Sequence, residues 1–153
     1  MANHRRYPDC IVCARGHEIL LSDEGRMAPY KTWKIYSSEG VSEPSLRIMP
    51  STGAGCLYPY GSMPSVTFER KLIFESAFLA DDVWMRFCSL QNGMKVIKIR
   101  KKIATLCNVF GSQKERLTCI NDISGNNQIV IDGLMKVFPD TVERLLREEG
   151  KGN

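Results

Sequence analysis

A chain of 153 residues with 43% hydrophobic and 25% charged residues has the size and balance of one globular domain with a real core. Its net charge of +4 suits phosphate-bearing or anionic partners without demanding them, and no recognised nucleic-acid-binding motif is present, so no nucleic-acid partner is expected. No apolar run approaches the roughly 20 residues of a bilayer-spanning helix, the basic start at residues 1–6 lacks the apolar core of an export signal, and six cysteines without such a signal read as free thiols in a cytoplasmic protein.

One domain is expected over residues 1–153, with disorder at 1–6 and 150–153. Tyr7-Pro8-Asp9 reads as a turn leading into a buried strand at Cys10-Ile11-Val12-Cys13-Ala14-Arg15. A second strand, His17-Glu18-Ile19-Leu20-Leu21, precedes the turn chemistry of Asp23-Glu24-Gly25-Arg26. Cys10, Cys13 and His17 have the look of half a zinc site, which needs a second close ligand pair. Cys107 and Cys119 are far apart, and Cys56 and Cys88 are isolated. The three are therefore read as packed strand residues, and no metal ligand is assigned. Tyr30, Trp33 and Tyr36 fall at helix-like spacing and are read as a core stripe. A polar stretch with Ser37, Ser38, Gly40, Ser42 and Pro44 follows as a surface loop.

Residues Gly53-Ala54-Gly55-Cys56-Leu57-Tyr58-Pro59-Tyr60 combine two glycines, which permit unusual dihedrals, with rigid aromatic surface. The segment lacks the Gly-Lys-Ser/Thr ending of a phosphate-cradling loop and the third glycine of a dinucleotide turn. Leu79-Ala80-Asp81-Asp82-Val83-Trp84 then opens an amphipathic helix, with apolar residues at Val83, Trp84, Phe87, Cys88 and Leu90 and a stop at Asn92-Gly93. Acids in a first helical turn are favoured by the exposed N–H groups and the dipole, so the pair also has a purely structural explanation. A strand at Met94 to Ile99 comes next, within a basic run of Lys95, Lys98, Arg100, Lys101 and Lys102. Leu106 to Ile123 is expected to be a loop and a short strand that buries Cys119 and Ile120. Ile129, Leu134, Val137, Val142, Leu145 and Leu146 mark a helical tail broken near Phe138-Pro139-Asp140, with Asp140 or Thr141 capping the restart.

Four stretches in order carry a family likeness: Pro8-Asp9-Cys10-Ile11-Val12-Cys13, Gly53 to Pro59, Ala80-Asp81-Asp82-Val83-Trp84, and Leu90-Gln91-Asn92-Gly93-Met94-Lys95-Val96. Together they resemble the C-terminal half of a bacterial glycosyltransferase with the nucleotide-diphospho-sugar transferase fold, the family-two-like kind of capsule and lipopolysaccharide synthesis. Gly125-Asn126-Asn127-Gln128 onward to Glu149 resembles that family's polar turn and closing helical region.

The resemblance implies a partial glycosyltransferase A-type α/β fold, a mixed sheet with flanking helices, from which the N-terminal nucleotide-binding half is absent. It implies transfer of a sugar from a nucleotide-sugar donor to a saccharide or lipid-linked acceptor, incompletely supported by this chain alone. Asp82 matches the general base, Asp81 tunes it, and Gly53, Gly55, Tyr58, Pro59, Tyr60 and Trp84 are the implied acceptor-binding residues. A divalent cation (Mg or Mn) goes with the Asp-x-Asp motif of a complete member. No Asp-x-Asp occurs in this sequence, so no cofactor is assigned here. An uncovered sheet edge and apolar face imply a homo-oligomer or pairing with a missing N-terminal half, and leave room for peripheral contact with a membrane. The alternative is a non-catalytic oligomerising or partner-binding remnant whose acids only stabilise the helix start.

Overall fold

The computed structural model describes residues 2–36, 40–100, 117 and 119–146. They build a mixed α/β arrangement of two small sheets and several helices. The polar residues Ser37 and Ser38, the basic Lys101 and Lys102, Cys107 and the tail at 150–153 lie outside the described residues.

The first sheet holds β1 (Ile11–Cys13) between β5 (Cys56–Leu57) and β6 (Val96–Lys98). β1 runs antiparallel to β5 and parallel to β6, with Val12 opposite Leu57 and Ile97. The second sheet is antiparallel throughout, with β2 (Gly16–Glu18) between β3 (Lys34–Tyr36) and β4 (Ile48–Pro50). The single mixed sheet expected from the sequence is thus divided in two, with β1 and β2 separated by only Ala14 and Arg15. β6 lies at the margin of its sheet, yet Val41 donates to Lys98 O and Ser45 exchanges backbone bonds with Val96. That stretch of chain covers the edge.

Helix α3, Asp81–Gln91, forms where the apolar spacing predicts it. Val83, Phe87 and Leu90 recur on one face and are at most 1% exposed. They pack with Ile131 and Leu134 of α4 (Asn126–Val137) and Leu145 of α5 (Thr141–Leu146) in the larger core cluster, which also takes in Ile19, Trp33 and Met49. Gly93 adopts φ 65°, the left-handed conformation that ends a helix, while Gly93 and Met94 donate to Leu90 O and Ser89 O. The strand follows at once. Arg86, 1% exposed, anchors this corner, its guanidinium donating to Ser89 Oγ at 3.1 Å, Met94 O at 2.8 Å and Leu46 O.

Several expectations need correction. Tyr30, Trp33 and Tyr36 do not share a helix: Tyr30–Thr32 make one 3-10 turn, and Lys34–Tyr36 pair with β2. Sheet pairing outweighed a weak local period. Trp33 is nonetheless buried, and its indole donates to Ala28 O at 2.9 Å. Ala2–Arg6, expected to be disordered, form the short helix α1, continued by Tyr7 N donating to Asn3 O. Cys119–Ile123 form a π-helical turn rather than a strand, and Ile120 is 42% exposed. The expected break at Phe138-Pro139-Asp140 separates α4 from α5, and Arg144 turns back to pair with Asp140 at 2.7 Å.

Candidate functional site

A cleft of about 600 Å³ opens where the start of α3 meets the turn after β4. Asp81 and Asp82 enter it from the first turn of α3, and Thr52 and Gly53 from the 3-10 turn Thr52–Ala54. Arg15 and His17 reach it from the turn after β1 and from β2, and Tyr30, Asn121 and Asn127 complete the lining. The chain arrives at these positions for local reasons. Ser51 N donates to Arg15 O, and Ala14 N to Gly55 O, so both ends of the Thr52 turn are tied to the segment after β1. Gly55 closes the turn at φ 100°, which a side chain would strain.

Asp82 is the best-defined member. Its Oδ1 accepts a hydrogen bond from Thr52 N at 3.0 Å and a second from the Thr52 hydroxyl. Helix α3 has Ala80 at its N-cap and no side-chain capping bond, and both of these Asp82 carboxyl bonds run across to Thr52. Burial raises the Asp82 pKa above the ordinary aspartate value. The two Thr52 donors and Arg15 pull the other way, and Asp81 adds to the rise. Asp81 itself is exposed at the rim.

Around the pair the lining mixes rings and amides. His17 and Tyr30 stand with ring centroids 5.6 Å apart, and Tyr30 meets Trp33 edge-on at 5.2 Å. Gln128 Oε1 accepts from Tyr30 N at 2.7 Å, and Asn121 is held by Leu79 O and Asn126. Asn127 is 7% exposed.

The implied catalytic and acceptor-binding residues divide. Asp81, Asp82 and Gly53 line one cleft; Gly55 shapes the turn without lining it; Tyr58, Pro59, Tyr60 and Trp84 stand elsewhere. Tyr58 packs on the smaller core cluster of Ile11, Cys13, Ile48 and Val96, and its buried hydroxyl has no hydrogen-bond partner among the described residues. Pro59 O accepts from Ser62 N in a tight turn, and Tyr60 projects fully into solvent. Trp84 is 3% exposed, with its indole donating to Thr67 O at 3.1 Å, so it is a core residue. The aromatic wall of the cleft is made instead by Tyr30 and His17. Thr52, Arg15 and Asn121 carry no signal in the sequence that marks them for this site, whereas Asn127 sits in the Gly125-Asn126-Asn127-Gln128 stretch.

Among the described residues no group of three His, Cys, Asp or Glu side chains comes together to hold a metal ion. No helix of the described residues is long and apolar enough to cross a membrane. No protein-family model, curated protein or solved structure matches the chain.

Proposed function

We propose that the cleft is the acceptor side of a sugar-transfer site, with Asp82 as general base. An acceptor hydroxyl attacks the anomeric carbon of a nucleotide-activated sugar. Its oxygen bonds to that carbon, the bond to the diphosphate breaks, and the hydroxyl proton passes to Asp82. A carboxyl whose proton affinity is raised by burial is better matched to that transfer near neutral pH. Since Thr52 holds Oδ1, Oδ2 is the oxygen to receive the proton. Tyr30 and His17 offer ring surface to a sugar, and Asn121 and Asn127 add polar side chains to the same lining. Arg15 contributes positive charge near the developing negative charge of the leaving group. The described donor set does not fit a divalent cation, and no step is assigned to one. A cytoplasmic location goes with this reading.

The observation that carries it is the attachment of the Asp82 carboxyl to the Thr52 turn, in the lining of a cleft of about 600 Å³. The competing remnant reading predicts a carboxyl spent on helix capping. The test supplies the chain with UDP- and GDP-activated sugars and simple saccharide acceptors, with Asp82→Asn as control. A general base contributes roughly a hundred- to ten-thousand-fold, so the variant should lose at least about a hundredfold. Equal background rates for both proteins, with no saccharide-induced NMR shifts at Thr52, Gly53 or Asp82, would overturn the proposal.

Self-association is part of the same proposal. Phe68, Phe74 and Phe78 are 76%, 53% and 61% exposed, and Phe74 stacks on Phe78 at 4.9 Å. These rings on and beside α2, Arg70–Ser76, form apolar surface that a second copy can cover.

A further inference from the structure

In the sequence Cys56 stands alone and Cys13 reads as a small apolar strand residue. The fold sets them face to face. Along the β1–β5 ladder Cys13 is the direct partner of Cys56, and both are free thiols. The adjacent pair, Ala14 and Gly55, is joined by Ala14 N donating to Gly55 O at 3.1 Å. Hydrogen-bonded and non-hydrogen-bonded pairs alternate along an antiparallel ladder, so Cys13 and Cys56 occupy a non-hydrogen-bonded pair. Cα atoms at such a pair are about 4.5 Å apart, inside the roughly 4.4–6.8 Å that a disulfide spans. The two side chains also share a face. Cys13 is buried with Ile11, Ile48 and Val96, and Cys56 packs against the same cluster.

We propose that Cys13 and Cys56 form a cross-strand redox site that a small-molecule disulfide converts to an intramolecular disulfide. Cys56, the less buried of the two, attacks one sulfur of the incoming disulfide and releases the other half as a thiol. Cys13 then attacks Cys56 Sγ, forming the Cys13–Cys56 bond and releasing the second half. Two protein thiols are oxidised, one small disulfide is reduced to two thiols, and the protons stay with those products.

The site communicates with the cleft. Cys56 Sγ donates to Ser51 O at 3.5 Å, a bond that oxidation removes, and Ser51 and Thr52 both line the cleft. The disulfide would also bind β1 covalently to the strand that follows the Thr52 turn. Burial pushes both thiols up to about 12. Lys98 of β6 and Arg86 of α3 oppose that rise at Cys13, Asp82 adds to it at Cys56, and the Tyr58 hydroxyl lies beside Cys56. Thiolate is scarce at neutral pH, so the exchange is slow and speeds up about tenfold per pH unit. It is a response to sustained oxidation rather than to a brief pulse. None of this depends on the sugar-transfer reading.

The test incubates the folded full chain with oxidised glutathione at pH 8 and pH 9, alkylates it in denaturant and maps the peptides. A peptide linking Cys13 to Cys56 should form, about tenfold faster at the higher pH, and dithiothreitol should reverse it. Cys56→Ser should leave Cys13 open to alkylation after the same treatment, and Cys13→Ala should leave a glutathione adduct on Cys56. If a variant fails to fold, the wild-type map decides by itself. A lasting glutathione adduct on wild-type Cys56, a link from either residue to another cysteine, or two alkylatable thiols in protein still folded after prolonged oxidation would each overturn the proposal.

Discussion

The chemistry of Asp82 is a contest between desolvation, which favours the neutral acid, and two donors from one threonine, which favour the carboxylate. Removing the hydroxyl alone weakens the second influence. Thr52→Val should therefore titrate Asp82 at higher pH than the wild type in a carboxyl-carbon NMR titration, and Thr52→Ser should restore it. An unchanged midpoint would mean the hydroxyl bond is not made in solution. Stability follows with a definite sign. The folded-state pKa of Asp82 lies above its unfolded value, so its contribution is fully present below that unfolded value, ordinarily 3.8. It is lost as pH rises through the folded one. Asp82→Asn, which keeps an oxygen for Thr52, should melt higher than the wild type near pH 7. The gap should close in acid, as thermal melts across that range would show.

Helix α3 sets the direction of the acid pair, and its far end is held by two devices that can be tested separately. Gly93 sits at φ 65° with nothing within 4 Å of an added Cβ. Gly93→Ala therefore meets a conformational penalty and no clash, about 1–2 kcal/mol for a left-handed residue. Arg86 joins α3 to Leu46 and Met94 from a site 1% exposed. Arg86→Ala leaves the part-buried Leu46 and Met94 carbonyls without their donor, a loss of about 1–3 kcal/mol for each group left unpaired. Urea titrations of both variants would measure these costs. Equal, small losses would show that the corner is not held by the guanidinium.

Across the whole molecule, the larger core ties α3, α4 and α5 to the second sheet, while a smaller cluster lies under β1, β4 and β6. Leu134 is fully buried where α4 meets α3, and Leu134→Ala should cost about 2–5 kcal/mol by cavity formation. The outer surface makes a different prediction. Sedimentation of a concentration series should show association that Phe74→Ser with Phe78→Ser reduces, because neither ring contributes to the buried clusters. Compact monomer throughout would remove the self-association proposal.

Local pattern alone was enough for α3. Its apolar positions repeat at helical spacing, its first turn is acidic and its end carries a glycine, so three short-range signals agree. The strands at Ile11–Cys13 and Val96–Lys98 and the break before α5 were legible for the same reason, since burial runs and proline act within a few residues. What residues 30–36 became was decided by pairing with β2, a contact that local periodicity does not encode. Asp82 could be suspected from its neighbours, but Thr52, 30 positions away, enters only when the turn after β4 is folded against α3. Cys13 and Cys56 likewise meet only through ladder register. Tyr58 and Trp84 looked equally suited to a cleft and a core, because an aromatic side chain satisfies both. Only packing, which assigns each face to solvent or to other side chains, tells the two apart.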